Sequence, residues 1–318
     1  LGLLPRGELL LQDLLRRAGL VDPADTRLPY NPLDTAMVKS IIGTTLCDLL
    51  HKTYLSCLID RYRLGSIRPS TVFLSLIGEN DQTASITFDC LFNDALRPGC
   101  QKPSDISFLS APSVCILDFW TAMTSRDADA AARALAAAAT AGTGPHGPTV
   151  LALMRTELAY AAGNIEGTAL GARSALLAHC SDSPPKLEAR AHRMMGLTAL
   201  ASERYADASD YLSNALELAE MAGDQYERMM AAYARAITEF MTGSLVKATL
   251  AADLAAASAR IIFRMDGLAA VESLKGRVDL ELGDYDKAVE RYQHLEGLGN
   301  TFGLAGVATR SRIWQGRS

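Results

Sequence analysis

The sequence predicts an all-α protein: a right-handed α-solenoid of stacked helical hairpins, preceded by an N-terminal helical subdomain. Hydrophobic residues make up 49% of the 318 residues and aromatic residues only 6%, a composition that favours helices over a large sheet. A turn-and-helix pattern also recurs at a fixed step along the chain, which is typical of a repeat protein. We therefore expect an N-terminal subdomain over residues 1–104 and a repeat domain of about five helix pairs plus a terminal helix over residues 105–318.

The clearest copy of the repeat is segment 283–295, a Gly-Asp-Tyr turn followed by an amphipathic helix with Ala288, Tyr292 and Leu295 on one face. Steps of 40 residues towards the N-terminus reach three equivalent turns, at Gly243, Glu203 and Gly163. The apolar faces that follow them are Ala248, Ala252 and Ala255; Ala208, Leu212 and Ala215; and Thr168, Ala172 and Ala175. Each hairpin is expected to bury this face against its neighbours, because a single hairpin cannot cover it.

The predicted helices can be placed in order along the chain. The N-terminal subdomain should contain helices over 7–18 and 33–63. Segment 71–91 is either a β-hairpin or a short helix pair, and the longer helical phasing favours the pair. In the repeat domain, a first pair should start near Cys115 and bury Ala130, Ala134 and Ala137 of its second helix. Further pairs are expected near 149–179, 185–221, 224–260 and 265–298, followed by a single helix from about 302 to 316.

Sequence motifs for catalysis or cofactor binding are weak. The loop 142–147 matches a dinucleotide-binding glycine pattern by letters, but it follows a predicted helix instead of a strand and is not followed by the lysine of a phosphate loop. The six cysteines form no C-x-x-C pair and the five histidines are scattered. We expect no catalytic residue, no cofactor and no metal. An unrecognised active site in residues 1–110 is the enzymatic alternative.

Charge and hydropathy limit the classes of partner. The formal net charge is −5 and the pI about 5.6, which provides no overall attraction to nucleic acid or to acidic membranes. The acidic and basic residues among the N-terminal leucines do not fit a secretory signal. We expect a cytoplasmic chain without nucleic-acid or membrane contacts. Because it begins at Leu1, we also expect either a segment of a longer protein or a processed chain.

Residues 113–318 resemble the tetratricopeptide (TPR) repeat superfamily at the turn and helix positions named above. The 40-residue unit and the turn at 222–224 are also similar to the helical arrays of bacterial STAND signalling ATPases, including the maltose-activator-like regulators. Segments 9–21 and 26–33 resemble the winged-helix element that precedes those arrays, with Asn31 in place of a histidine. This resemblance implies a sensor arm that binds an inducer or partner protein and controls oligomerisation. The sequence contains no Walker motif, and a stand-alone scaffold or adaptor is the alternative.

The TPR resemblance also implies which stripe of each first helix faces the inner groove. The stripes of three successive units are Arg190, Arg193, Leu197 and Leu200; Met230, Tyr233, Ile237 and Phe240; and Ala270, Ser273, Arg277 and Leu280, with Arg310 beyond them. The predicted partner-binding residues are Arg190, Arg193, Leu197, Tyr233, Ile237, Phe240, Arg277 and Arg310.

An apolar floor with scattered arginines suits a protein or peptide ligand that carries apolar anchors and acidic groups. Self-association is a further candidate. The alternative is that the apolar residues are inter-helix core and that the arginines pair with neighbouring carboxylates. If Arg193 and Arg277 are exposed, replacing them with glutamate should weaken binding and change stability by about 1 kcal/mol or less.

Overall fold

The computed structural model describes residues 92, 95–96, 110–142, 146–181, 183–262, 264–301 and 304–316. The chain divides into two compact units, Leu1–Asp94 and Ala95–Ser318. The helices predicted over 7–18 and 33–63, the two alternatives for 71–91 and the winged-helix-like segments lie outside the described residues. The described part of the second unit is an all-α solenoid of helical hairpins, which confirms the predicted fold class.

Eleven helices make up the described part of this unit. In chain order they are α1 (Ala111–Thr124), α2 (Ala128–Ala141), α3 (Gly147–Ala161), α4 (Ile165–Ala178), α5 (Pro185–Ala201), α6 (Tyr205–Ala222), α7 (Gln225–Met241), α8 (Leu245–Ile261), α9 (Met265–Glu281), α10 (Tyr285–Thr301) and α11 (Ala305–Gln315). The predicted pairs and the last single helix agree with these bounds to within a few residues. No described helix combines the length and the apolar character needed to cross a membrane.

Several helices start where the sequence places a capping residue or a proline. The side chains of Asp127, Asn164 and Asp224 accept hydrogen bonds from backbone N–H groups in the first turns of α2, α4 and α7, at 2.7 to 3.0 Å. Proline stands in the first turn of α1, α3 and α5, where its missing N–H has no helical partner to lose. These local signals explain why the helix starts could be predicted closely.

The order of contacts shows which helices lie on the inner side of the solenoid. Each helix packs against the next one along the chain. In addition, α3 contacts α5, α5 contacts α7 and α7 contacts α9, whereas the second helices of successive hairpins make no contact of comparable extent in the described part. The first helices are therefore closer together than the second helices, and they line the concave face.

The 40-residue period is visible in the backbone. Gly163, Glu203, Gly243 and Gly283 all have positive φ, between 58° and 78°. The residue after each of them donates its N–H to the carbonyl five residues earlier, at 2.8 to 2.9 Å, the bond that closes a left-handed helix end. Arg126 has the same conformation and the same bond. It lies only 37 residues before Gly163, so the repeat step that contains α2 and α3 is three residues shorter than the later ones.

This shorter unit corrects the predicted buried face of α2. Ala131, Ala134 and Ala138 are buried, whereas Ala130 is half-buried and Ala137 is exposed. Alanine fills nearly every position of α2, so the sequence could not distinguish neighbouring registers there. In the four longer units, each apolar position predicted to be buried is at most 3% exposed.

Two glycines on first helices allow the second helix of the same hairpin to approach closely. A Cβ at Gly196 would lie 2.6 Å from Leu212 Cγ, and one at Gly276 would lie 2.7 Å from Tyr292 Cζ. A side chain at either position would force the facing Leu212 or Tyr292 side chain to move. Glycine at these positions therefore allows the close packing of the hairpins α5–α6 and α9–α10.

Candidate partner-binding face

The first helices α5, α7 and α9 carry half-buried apolar side chains at stripe positions predicted from the sequence. These are Leu197, Met230, Tyr233, Ile237, Phe240 and Leu280. Four of them, on α7, pack against the main buried core cluster and still expose part of their surface. Each of these side chains therefore contributes to the inter-helix core and keeps part of its surface exposed, and partner binding by them stays a prediction.

The N-terminal end of this face is a buried ion cluster. Arg193 is 3% exposed and Glu227 2% exposed, and Arg190 is also buried. Arg193 donates from Nε to Glu227 Oε2 at 2.7 Å and from Nη2 to Glu157 Oε1 at 2.7 Å, and Arg190 donates from Nε to the other oxygen of Glu227. The premise that Arg193 is exposed is wrong. Both arginines here pair with neighbouring carboxylates, as the alternative interpretation expected.

Mutual pairing keeps this cluster ionised. Burial by itself would raise the pKa of Glu227, but the charges and hydrogen bonds of Arg190 and Arg193 outweigh burial and lower that pKa. Burial would likewise lower the pKa of both guanidinium groups, and Glu227 and Glu157 raise it instead. The nearby Asp224 has a raised pKa, because it is buried and faces the charge of Glu227.

Aromatic rings enclose the arginine at the edge of the cluster. The Arg190 guanidinium carbon lies 4.4 Å from the ring centroid of Trp120 and 5.7 Å from that of Tyr226. Cation–π contacts of this kind are stronger when the cation is shielded from water. They tie α1, α5 and α7 together at one point.

A third arginine extends this arrangement to the start of α9. Arg264 lies 5.6 Å from the Tyr226 ring and donates to the Asp266 carboxylate at 2.8 and 2.6 Å. It also donates to the backbone carbonyl of Leu96. All three arginines at this end are thus held by anionic or carbonyl acceptors within the protein.

The C-terminal end of the face differs, because its arginines are exposed and have no carboxylate partner in the described part of the chain. The Arg277 guanidinium lies 4.6 Å from the Phe240 ring centroid, and Arg310 donates from Nε to the Gly306 carbonyl at 3.1 Å. Within the described residues, neither guanidinium lies within salt-bridge distance of a carboxylate. Burial raises the pKa of Tyr233, and the charges of Arg277 and Arg310 oppose that rise.

Sequence reasoning missed the two carboxylates of the ion cluster. Glu157 lies 40 residues before Leu197 and so occupies the same stripe, one unit earlier; extending the period by one step would have found it. Glu227 lies 34 and 37 residues from its two arginine partners and on the following first helix. No sequence signal indicates that pairing.

The scattered histidines come together in part near the α4–α5 turn. His146 Nδ1 lies 3.2 Å from Ser183 Oγ, which also contacts Cys180 Sγ at 3.1 Å. His179 and His192 approach the carboxylate of Glu188 at 3.4 and 3.9 Å. In the part of the chain that the structure describes, no group of three or more His, Cys, Asp or Glu side chains is arranged to hold a metal ion. The enzymatic alternative in residues 1–110 falls almost entirely outside the described residues.

The helices and their period define this unit as a TPR-like helical-repeat solenoid. One solved structure with a similar fold is aspartyl phosphate phosphatase F from Bacillus subtilis, with 14% sequence identity and a TM-score of 0.51 over 98% of this chain and 75% of that one. At this identity the similarity shows the fold alone. No family model and no curated protein matches the sequence. The resemblance to STAND regulators stays a prediction.

Proposed function

We propose that this chain is a protein-interaction module that binds a segment of a partner protein along the inner face of α5, α7 and α9. The observation that carries the proposal is the group of half-buried apolar side chains Tyr233, Ile237 and Phe240 on α7. Arg277 lies on the Phe240 ring and has no carboxylate partner among the described residues. A concave apolar surface bordered by unpaired charge is suited to an extended or helical segment. Tyrosine and arginine are also the residues that most often dominate binding energy at interfaces.

The ion cluster limits where charged ligand groups can bind. Arg190 and Arg193 are already neutralised by Glu227 and Glu157, so they offer little to an acidic ligand. The binding segment should therefore lie towards the C-terminal end, over α7 and α9. The proposed binding surface is therefore smaller than the one predicted from the sequence, which included the buried Arg190 and Arg193.

We further propose that the module serves as a sensor or arm of a larger cytoplasmic regulatory protein of bacterial type, with a stand-alone scaffold as the alternative. The Bacillus subtilis protein of similar fold is named as a phosphatase. Our proposal for this chain is a binding role, because the described inner face offers apolar and cationic contacts.

Selection from a random peptide library displayed on phage, with the full chain as bait, tests the binding role. A selected peptide should bind the Ile237→Gln variant at least about tenfold more weakly than the parent, because Ile237 lies at the centre of the stripe. Leu177→Gln is the matched control, since Leu177 is 88% exposed on the second helix α4. Thermal melts of both variants verify that the fold is kept.

Equal loss of binding in both variants, or loss in neither, would place the peptide away from the inner face. Failure to select any peptide above the background of an unrelated helical protein would contradict the binding role itself.

A further inference from the structure

A thiol, a hydroxyl and an imidazole form one hydrogen-bonded chain at the turn between α4 and α5. Cys180 is exposed just after the end of α4, Ser183 is buried just before α5, and His146 is half-buried just before α3. The Ser183 Oγ lies 3.1 Å from Cys180 Sγ and 3.2 Å from His146 Nδ1. His146 and Ser183 are 37 residues apart in the sequence, so it is the folded chain that brings the three groups together.

The backbone of the turn holds the Ser183 hydroxyl beside the thiol. The Ser183 N–H donates to the Cys180 carbonyl at 2.8 Å, and the Cys180 N–H donates to Ser183 Oγ at 3.3 Å. A serine hydroxyl can donate one hydrogen bond and accept two. Because the Cys180 N–H uses one acceptor position, the other can accept the thiol proton while the hydroxyl donates to His146 Nδ1. All three side chains are then satisfied with the thiol protonated.

The same contacts also satisfy the chain after a proton has moved from the thiol to the imidazole. A protonated His146 Nδ1 donates to Ser183 Oγ, and the hydroxyl donates to the Cys180 thiolate. The hydroxyl again makes one donated and two accepted hydrogen bonds. The proton can therefore pass through Ser183 without a rearrangement of the turn. His179, the residue before Cys180, instead approaches the Glu188 carboxylate at 3.4 Å.

We propose that Cys180 is a modification site, at which hydrogen peroxide oxidises the thiol to a sulfenic acid. The thiolate is the nucleophilic form of cysteine, and a base that takes the thiol proton increases its reactivity. The Cys180 sulfur attacks one peroxide oxygen, so an S–O bond forms and the O–O bond breaks. The thiol proton passes through Ser183 to His146, and the departing hydroxide becomes water with the proton that His146 releases. Sulfur loses two electrons and the peroxide gains them.

The rate of Cys180 oxidation in the full chain tests this proposal. Hydrogen peroxide is added, the sulfenic acid is trapped with dimedone, and the label is measured by mass spectrometry in the tryptic peptide 174–186, whose one cysteine is Cys180. At pH 7 the initial rate should be about tenfold higher in the parent than in Ser183→Ala or His146→Gln, because both variants separate the thiol from its base. His294→Gln is the matched control, since His294 is exposed on α10.

The pH dependence of the rate distinguishes proton transfer from a structural role of Ser183. The parent rate should rise between about pH 6 and 7, where imidazoles lose their proton, whereas Ser183→Ala should keep only the rise of an ordinary thiol near about pH 8.5. A parent rate at pH 7 no higher than that of N-acetylcysteine, or equal rates in the parent and both variants, would overturn the proposal. A slower Ser183→Ala variant that keeps the rise between pH 6 and 7 would overturn it too, because its loss of rate would then be structural.

Discussion

Substitution of the buried Glu227 is the most informative test of the structure. Glu227→Gln keeps the shape of the side chain but removes the negative charge shared by Arg190 and Arg193. Arg193 would keep Glu157 as an acceptor, but both guanidinium groups would lose the carboxylate that they share. The variant therefore has one negative charge fewer beside two buried cations.

The expected decrease in the free energy of unfolding follows from this loss of one negative charge. Removing one partner of a buried ion pair typically costs about 3–5 kcal/mol, because the remaining charge stays desolvated without compensation. For a domain of this size, 1 kcal/mol lowers Tm by about 2–4 °C, so we expect Tm to fall by roughly 6–20 °C. By the same reasoning, Arg193→Glu should destabilise the fold strongly. That reverses the sequence-based expectation of a change of about 1 kcal/mol or less.

Urea unfolding should be followed by circular dichroism and by tryptophan fluorescence. The chain contains two tryptophans, so both measurements use a Trp314→Phe background. Circular dichroism then reports all helices, whereas fluorescence reports Trp120, whose ring centroid lies 4.4 Å from the Arg190 guanidinium carbon. Because repeat arrays can unfold in parts, a loss confined to the fluorescence transition would show that the cluster stabilises only its own hairpins. Asp207→Asn is the control, since Arg204 and Asp207 are each 51% exposed and their pair should contribute less than about 1 kcal/mol.

Replacing the charged cluster with uncharged side chains tests whether the loss of stability comes from a buried charge without a partner. If the loss of stability comes from an unpaired buried charge, the quadruple variant Glu157→Gln, Glu227→Leu, Arg190→Met and Arg193→Leu, which removes every charge of the cluster, should recover most of the stability. A Glu227→Gln variant less than about 1 kcal/mol below the parent would show that the cluster is solvated, and the reasoning would be refuted.

Two further outcomes are expected. Glu203 occupies the positive-φ turn position that is glycine in the other long units, so Glu203→Gly should raise the free energy of unfolding by about 0.5–1 kcal/mol and Gly243→Glu should lower it in chemical denaturation. Burial lowers the pKa of His192, with the charge of His179 acting in the same direction and Glu188 opposing both. The unfolded chain therefore binds more protons below about pH 6.5, so stability should fall as pH drops below that value and down through the folded pKa. His192→Asn should flatten that slope in unfolding curves measured across this range, and an unchanged slope would contradict the assignment.

The helices and their period could be predicted from the sequence because they depend on neighbouring residues. A turn residue that adopts positive φ, followed by apolar residues such as Ala288, Tyr292 and Leu295, specifies a helix start and its buried face within about a dozen positions. The prediction failed locally at Ala130 and Ala137, where a run of alanines contains no phase information and the unit is three residues shorter.

The state of the arginines was decided only by tertiary structure. Arg193 on α5 and Arg277 on α9 belong to the stripes predicted to face the groove. Arg193 is buried and paired, whereas Arg277 is exposed and has no carboxylate partner among the described residues. The difference lies in what the adjacent helices supply: Glu157 and Glu227 reach Arg193, and an aromatic ring, Phe240, reaches Arg277. A periodic sequence determines where a side chain lies on its helix. Whether a charge there is neutralised depends on residues some 35 positions away, which are brought into contact only by the stacking of one hairpin on the next.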